Sequence, residues 1–255
     1  MPSIDTIVYR VRDPELQVSF YRDVLGMTEG NDDTTVGYSG SDASIRFLPA
    51  ATDYQPVPND LYWKIALAVP DIELACEQLT DQGVAVSEPH QFQDVGYLAH
   101  FKDPAGLSIE LIEHWFKGNR QEPVTNTVLL GGGAHLNLLT LRTAAIEPIQ
   151  RLVTAWGMKP LSIQSVDNYG FTLYFFAFTN DDPPEPDLRS VRNREWLYQR
   201  PYTVLEVQHL HAADDVRLPR PGSAGYESAG IVGVDVARPK NDLRLIATDT
   251  LAGGH

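Results

Sequence analysis

The spacing of hydrophobic residues changes twice within the first fifty positions of the chain. Residues 4–11, IDTIVYRV, alternate in the manner of a half-buried strand. The stretch that follows, DPELQVSFYRDVLGM, has a helical start with Asp13 as N-cap and Pro14 in the first turn, and a helical stop at Gly26. Two short strand-like segments, TTVGYSG and ASIRFLPA, come next. This order predicts a βαβββ unit or a shortened version of it.

The same order of elements returns from residue 64. A strand, KIALAVPD, leads into a helix, IELACEQLTDQG, that ends at Gly83, and the strands VAVSEP, YLAHFKD and LSIELIEHW follow. A tight turn at residues 103–106, Asp-Pro-Ala-Gly, joins the last two strands. Glu110 then lies in mid-strand, on the face opposite its apolar neighbours. A second unit is therefore predicted, with a carboxylate on the polar face of its closing strand.

A third copy begins after a segment rich in charge, proline and glycine. Its strand HLNLLTLR leads to the helix EPIQRLVTAWGM, in which RLVTAWGM at 151–158 repeats FYRDVLGM at 20–27. The strands FTLYFFAFT and YTVLEVQHL follow, separated by a loop at 180–195 that we expect to be irregular. AGIVGVDVA at 229–237 resembles IALAVPDIE at 65–73, so a fourth copy starts there. The remaining residues are too few for a helix and three strands.

Composition and charge narrow the range of partners. The chain has 255 residues, 43% of them hydrophobic, and Lys+Arg 20 against Asp+Glu 34 gives a net charge of -14. Nucleic acid and anionic membrane surfaces are excluded as partners on this balance, because they repel an acidic protein. The single cysteine, Cys76, cannot form an intrachain disulfide, and neither a signal peptide pattern nor a membrane span is evident. We therefore expect a cytoplasmic protein.

The repeated motifs identify a family resemblance. V-x-D-P followed by F-Y-x-x-V-L-G-M, together with the D-P-x-G-x-x-I-E-L hairpin, resembles the vicinal oxygen chelate superfamily, which includes glyoxalase I, extradiol dioxygenases and the fosfomycin and bleomycin resistance proteins. Residues 171–211 are similar to glyoxalase I of the eukaryotic type. The resemblance implies an α+β fold of tandem βαβββ modules. We expect a first domain at 1–118 with modules 1 and 2, a linker at 119–132, and a second domain at 133–255 with module 3 and a shortened module 4.

The resemblance also implies a metal site in a cup formed by two modules. Members of the superfamily hold a divalent metal such as zinc, nickel or iron with side chains from the first and last strands of each module, and the metal acts as a Lewis acid on the substrate. Glu110 and Glu206 match the last-strand positions of modules 2 and 3. The first-strand positions hold Lys64 in module 2 and Asn137 in module 3, or His135 if the register shifts by two. Modules 2 and 3 are therefore expected to form one cup.

Two outcomes remain open for this cup. A metal could be held by Glu110, Glu206 and His135, or Lys64 could take the place of the cation in a metal-free site. Arg10 matches an arginine that binds the glutathione carboxylate in glyoxalases, or it pairs with one of the nearby acids. With Lys64 and Asn137 it forms the expected substrate-binding set.

Three functions follow from these outcomes. The first is a glyoxalase I-like lyase or isomerase, acting on a small α-oxo or thiohemiacetal substrate through a metal-stabilised enediolate, with Glu206 or Glu110 as base. The alternatives are a metal-free protein that binds a small molecule, and an extradiol-type dioxygenase. A small-molecule substrate is expected in each enzyme, and the incomplete fourth module favours a homodimer because it leaves a sheet edge uncovered.

Overall fold

The computed structural model describes residues 1–38, 40–122, 124, 128–234 and 243–248 of the chain. The elements follow one another in the order that the repeats predict, with additions in the third module. The helices of the described residues are α1 Pro14–Asp23, α2 Ile72–Asp81, α3 Ile146–Ala155 and α4 Arg192–Tyr198. The strands are β1 Ser3–Val11, β2 Thr28–Glu29, β3 Thr35–Gly37, β4 Ser44–Pro49, β5 Tyr62–Val69, β6 His90–Phe92, β7 Gly96–Lys102, β8 Ser108–Glu113, β9 His135–Thr143, β10 Lys159–Val166, β11 Phe171–Ala177, β12 Val204–Leu210, β13 Gly225–Val232 and β14 Leu245–Ala247.

The first helices of modules 1 and 2 begin with the same cap. Asp13 Oδ1 accepts a hydrogen bond from the Leu16 amide at 3.0 Å, and Asp71 Oδ1 accepts one from the Leu74 amide at 3.0 Å. Each satisfies an amide that the first helical turn would leave unpaired. Gly26 and Gly83 follow these helices with φ of 75° and 80°, a left-handed conformation that glycine adopts without strain. The sequence signals for both helices are confirmed.

The described strands form two sheets, and each sheet joins two modules. One has the order β14-β13-β1-β4-β3-β2, and the other has the order β10-β11-β12-β9-β5-β8-β7-β6. Module 1 therefore shares a sheet with the shortened module 4, and module 2 shares one with module 3. The connecting pairs, β1 with β13 and β5 with β9, are antiparallel. The predicted α+β fold of tandem βαβββ modules in two halves is confirmed.

The predicted domains are divided along the sequence, but each sheet contains strands from both sides of that division. Residues 1–118 and 133–255 each supply strands to both sheets. The expected boundary at 119–132 stays a prediction, since the pairing of β5 with β9 and of β1 with β13 spans it. Part of the expected fourth module, at 235–242 and 249–255, lies outside the described residues.

Three details of the predicted elements are corrected. VAVSEP, at 84–89, is not a strand: its Ser87 amide bonds the His100 carbonyl, but the ladder with β7 begins only at β6. A strand, β10, precedes the aromatic strand β11 and pairs with it. The expected irregular loop at 180–195 leads into α4, which buries Leu197 and Tyr198 against the eight-stranded sheet. Tertiary packing, which has no local signature in the sequence, decides these positions.

Apolar side chains are divided between the two faces of the eight-stranded sheet. Leu67, Leu139 and Leu205 pack with the helices in the main core. Ala66, Leu138 and Val204, one position away in each strand, pack on the opposite face in a second apolar cluster with α4 and β11. Side chains of successive strand residues point to opposite faces, so this arrangement follows from the alternation of the strands. The second face is the concave side of the cup.

Among the described residues, no helix is both long and apolar enough to span a membrane.

Candidate ligand site

The centre of the eight-stranded sheet brings together residues from both halves of the chain. β5 lies between β9 and β8, and β12 lies beside β9. Thr140 of β9 is paired with Lys64 on one side and with Glu206 on the other. Glu110 of β8 is paired with Ala66, two residues beyond Lys64 on β5. Four polar side chains therefore meet on the concave face.

Lys64 joins the two glutamates into a buried ion triad. Its Nζ lies 2.8 Å from Glu110 Oε1 and 3.0 Å from Glu206 Oε2. The exposed fractions of Lys64, Glu110 and Glu206 are 2%, 4% and 2%. Thr140 Oγ1 also donates a hydrogen bond to Glu206 Oε2. His100 Nε2 lies 3.0 Å from Glu110 Oε2, and its side chain is 40% exposed. The charges are buried, but each has a partner of opposite sign within hydrogen-bond distance.

The triad determines the charge states of its members. Burial opposes the charge of Lys64, but Glu110 and Glu206 outweigh it and raise the lysine pKa. For Glu110, burial opposes ionisation, yet Lys64 and the hydrogen bond from His100 outweigh it and lower the pKa. Burial raises the pKa of Glu206, against the effect of Lys64, and the nearby charge of Glu110 adds to the rise. Lys64 is thus held in its charged form, and Glu110 is the more acidic of the two glutamates.

A cavity of about 650 Å³ opens above the triad. Its polar floor is Lys64, Glu110, Glu206 and His100, and its walls are mainly apolar. Aromatic rings form a continuous wall: ring centroids lie 6.2 Å apart for Trp63 and Phe171, 6.4 Å for Phe171 and Tyr169, and 5.2 Å for Tyr169 and Phe92. Leu98, Ile112, Leu138 and Leu173 complete much of the lining. The size and polarity are typical of a pocket for a small organic molecule.

His135 and Asn137 do not reach the glutamates. His135 is paired with Ala68, four residues beyond Lys64 on β5 or about 13 Å along the strand. Its ring lies 5.7 Å from that of His114. Asn137 Nδ2 donates to the carbonyls of Leu197 at 3.3 Å and Arg200 at 3.2 Å, so it anchors α4 and the residues after it. The residue of β9 that is paired with both Lys64 and Glu206 is Thr140, and neither predicted residue has that position.

Arg10 belongs to the other sheet. It lies on β1 and forms an ion pair with Glu227 of β13, and it also donates a hydrogen bond to the Pro49 carbonyl at 3.2 Å. The structure thus places Arg10 beside a nearby acid and away from the cavity of modules 2 and 3. Of the expected site residues, Glu110, Glu206 and Lys64 are brought together, and Arg10, Asn137 and His135 lie elsewhere.

The donor set at the triad does not fit a divalent metal. Two carboxylates are present, but the space between them holds the Lys64 ammonium, which cannot ligate a metal while it is charged. The fourth polar side chain on the concave face is the Thr140 hydroxyl, a weak neutral ligand, where a metal site would need an imidazole. Among the described residues, the one group of three carboxylates or imidazoles within metal-binding distance is Asp71, Glu73 and Glu113. Arg120 lies among those carboxylates, 2.8 Å from Asp71 and 3.5 Å from Glu113.

Sequence reasoning missed Thr140 and His100. Thr140 alternates with Leu138 and Arg142 along β9, so the correct choice of strand face would have selected it. His100 pairs directly with Glu110 across the hairpin that the 103–106 turn closes. Counting outward from that turn brings the two residues together, which is the signal that could have found His100.

Comparison with known proteins agrees with the fold and the sequence motifs. Residues 3–111 match the family model described as Glyoxalase/Bleomycin resistance protein/Dioxygenase superfamily, so the superfamily resemblance indicated by the motifs is confirmed. Glyoxalase I from Zea mays is similar in structure, with a TM-score of 0.61 and 19% identity over 91% of this chain and 74% of that chain. A mutant of the same maize enzyme gives a TM-score of 0.61 at 18% identity, with coverage of 91% and 74%. Because the identity is 19% or less, the structural similarity shows only that the fold is shared. No curated protein matches the chain.

Proposed function

We propose that this protein binds a small, largely apolar aromatic molecule in the cavity of modules 2 and 3, without a metal. The observation that carries the proposal is the position of Lys64, which bridges Glu110 and Glu206 at the floor of the cavity. The lysine supplies the positive charge that two buried carboxylates require. The aromatic walls supply the contact area for a flat ligand.

A metal would have to displace a stable ion triad. Removing Lys64 from its two partners would leave unpaired charges on side chains that are themselves buried. For this reason the metal-dependent reactions that the resemblance implies have less support than ligand binding. They are the glyoxalase-type lyase with Glu206 or Glu110 as base, and the extradiol-type dioxygenase. We derive no reaction step through a metal.

The metal question can be tested directly by exchanging Lys64. Purified protein is incubated with excess Zn²⁺, Ni²⁺ or Fe²⁺, separated from free metal and analysed for bound metal. We expect substoichiometric metal in the wild-type protein and about one zinc ion per chain in Lys64→His, because the imidazole supplies the nitrogen ligand that the two glutamates lack. A stoichiometric metal in the wild-type protein that is lost in both Glu110→Gln and Glu206→Gln would contradict the proposal.

Ligand binding is tested by filling the cavity. Neutral aromatic compounds are titrated into the protein and followed by calorimetry, with Leu173→Trp as the blocked variant because Leu173 lines the cavity. Leu16→Trp is the matched control, since Leu16 is 51% exposed on α1. Saturable binding by the wild-type protein and the control, and its loss in Leu173→Trp, is the expected result. Equal binding by both variants would place the ligand elsewhere.

The enzymatic alternatives have their own measurements. Hemithioacetal consumption with glutathione and an α-oxoaldehyde tests the lyase, and oxygen uptake with catechols tests the dioxygenase. Each assay is run with and without added divalent metal. Turnover that depends on Glu206 or Glu110 would establish the corresponding enzyme instead of the binding protein.

A further inference from the structure

One oxygen atom at the floor of the cavity is left over after the triad is formed. Both Glu110 oxygens are engaged, Oε1 by Lys64 and Oε2 by His100. Glu206 Oε2 accepts from both Lys64 and Thr140. Glu206 Oε1 receives no hydrogen bond from any residue that the structure describes, although the side chain is 2% exposed and lines the cavity. It is not among the described buried atoms that lack a partner, and Glu206 lines the cavity, so a ligand can bond this oxygen from the cavity side.

A second unused group lies beside it. The Lys64 ammonium has three protons, and two of them are directed to Glu110 Oε1 and Glu206 Oε2. Its nitrogen lies 4.9 Å from the Trp63 ring centroid, at the foot of the aromatic wall. No described residue accepts the third proton in a hydrogen bond, and Lys64 lines the cavity, so a ligand can supply the acceptor. An acceptor and a donor, Glu206 Oε1 and Lys64 Nζ, stand next to each other at the floor.

We infer that the ligand is a flat aromatic molecule that carries a hydrogen-bond donor and a hydrogen-bond acceptor side by side at one edge, as an aryl carboxamide does. This inference rests on the proposed binding function and adds the chemistry of the ligand's polar end. The donor bonds Glu206 Oε1, the acceptor bonds the free Lys64 proton, and the ring lies against Trp63 and Phe171. A ligand that lacks either group covers a polar atom without bonding it, which is costly because the atom loses its contact with water.

The opposite charges of Glu206 and Lys64 exclude ligands with a simpler polar end. A carboxylate would bring its second oxygen against Glu206, and an acceptor-only ester would leave Glu206 Oε1 without a partner. An amidinium would bond Glu206 but would direct a proton, and a positive charge, toward Lys64. Only a group that presents both polarities satisfies both atoms.

The test compares probes that share one ring system and differ in this edge. Binding of 2-naphthamide, methyl 2-naphthoate, 2-naphthoate and 2-naphthamidine is measured by calorimetry with the full chain. We expect the amide to bind about tenfold or more tightly than each of the other three, which corresponds to the loss of one or two buried hydrogen bonds. Equal or tighter binding of the ester, the acid or the amidine would overturn the inference.

Glu206→Gln provides a sharper version of the same test. Lys64 and Thr140 both donate to the Oε2 position, so the glutamine oxygen must occupy it and the NH₂ group must face the cavity. The polarity at the former Oε1 position is thereby reversed. In E206Q the amide should bind more weakly and the methyl ester more tightly. The ratio of their affinities should therefore change by about tenfold or more. Glu113→Gln makes the same change at a buried glutamate outside the cavity lining and should keep the wild-type ratio.

The outcomes separate this inference from the function on which it rests. If none of the four probes binds and Leu173→Trp changes nothing, the proposed function fails. If the probes bind in the cavity but the ester equals the amide in both the wild-type protein and E206Q, the binding function stands and the inference about the polar edge is wrong. Circular dichroism and a cooperative unfolding curve show that each variant is folded.

Discussion

Lys64 is the residue on which the candidate site depends. Two glutamates from different modules approach each other in the cup, and without a cation between them both could not remain charged in a buried place. The lysine makes the arrangement stable in the absence of any other positive ion. The same position on β5 also places the lysine beside Trp63, so one residue connects the ion triad with the aromatic wall.

Replacing Lys64 by Met should therefore destabilise the fold strongly. We expect a loss of about 3–5 kcal/mol in the free energy of unfolding, because Glu110 and Glu206 are left as unpaired buried carboxyl groups. Urea denaturation of the single variant, and of the triple variant that also carries Glu110→Gln and Glu206→Gln, measures this. The triple variant should regain most of the loss, since neutral amides no longer need a cation. A single variant as stable as the wild-type protein would contradict the argument.

The pair of His114 and His135 predicts a loss of stability in acid. Burial lowers the pKa of His114 to about 4 from an ordinary 6.5, and His135 adds to the shift. The unfolded chain binds the proton first, so the contribution is complete above pH 6.5 and is lost as the pH falls toward about 4. The free energy of unfolding that is lost in this way is as much as about 3 kcal/mol. His114→Phe, whose ring is never charged, should show a shallower fall in unfolding free energy over this pH range. An unchanged slope would remove His114 as the cause.

At the scale of elements, the hairpin of β7 and β8 positions two of the site residues. Its turn is held by Asp103, whose Oδ1 accepts hydrogen bonds from the amides of Ala105 at 3.0 Å and Leu107 at 2.9 Å. Its Oδ2 accepts one from the Tyr21 hydroxyl at 3.1 Å, which ties the turn to α1. The hairpin places His100 opposite Glu110. The turn thus sets the register of the polar floor.

Asp103→Ala should disturb this register as well as the stability. Three donors would lose their acceptor, and two of them are backbone amides in a tight turn, so we expect a cost of about 2–4 kcal/mol. Asp103→Asn keeps an oxygen for the amides and should cost less. Chemical denaturation gives the free energies, and amide hydrogen exchange of β8 reports whether the hairpin opens locally. Equal stability of the Ala variant and the wild-type protein would show that the turn residues alone specify the hairpin.

The elements also show how far the sequence could predict this protein. Repeated motifs predicted the modules, and the cap Asp13 and the stops Gly26 and Gly83 predicted ends of helices, because these signals are local. The meeting of Lys64, Glu110 and Glu206 followed from the pairing of modules 2 and 3. Local signals did not predict the place of Thr140, since it depends on how β9 pairs with β5 and β12, and strand pairing is a non-local contact. The same holds for α4, whose apolar face packs on the distant β10 and β11.

At the scale of the whole molecule, the two halves of the chain are interleaved. β5 from the first half is hydrogen bonded to β9 from the second, and β1 is bonded to β13. The ion triad itself takes Lys64 and Glu110 from one half and Glu206 from the other. Neither half alone contains all the strands of either sheet, and the second half alone would leave Glu206 without its cation. We therefore expect the whole chain to unfold as one unit, although the repeats predict two domains.

The predicted homodimer belongs to this scale. Among the described strands, β14 lies at one edge of the six-stranded sheet, and its Ile246 is 44% exposed. An edge strand with an exposed apolar side chain favours pairing with a second copy. Analytical ultracentrifugation of the wild-type protein and of Ile246→Lys tests this, since a charge at the edge should shift the equilibrium toward the monomer. A wild-type protein that is monomeric at all concentrations would refute the prediction.

Interleaving leads to a prediction about cooperativity. Calorimetry of the intact chain should show one unfolding transition rather than two, because the strand pairs and the triad couple the halves. Fragments 1–122 and 128–255 should each unfold readily alone, since each loses its β5–β9 and β1–β13 partners, but should form a stable complex when they are expressed together. Glu206→Lys in the second fragment should weaken this complex, because it places a like charge beside Lys64. Two independent transitions, or a first fragment as stable as the full chain, would show instead that the halves fold as separate domains.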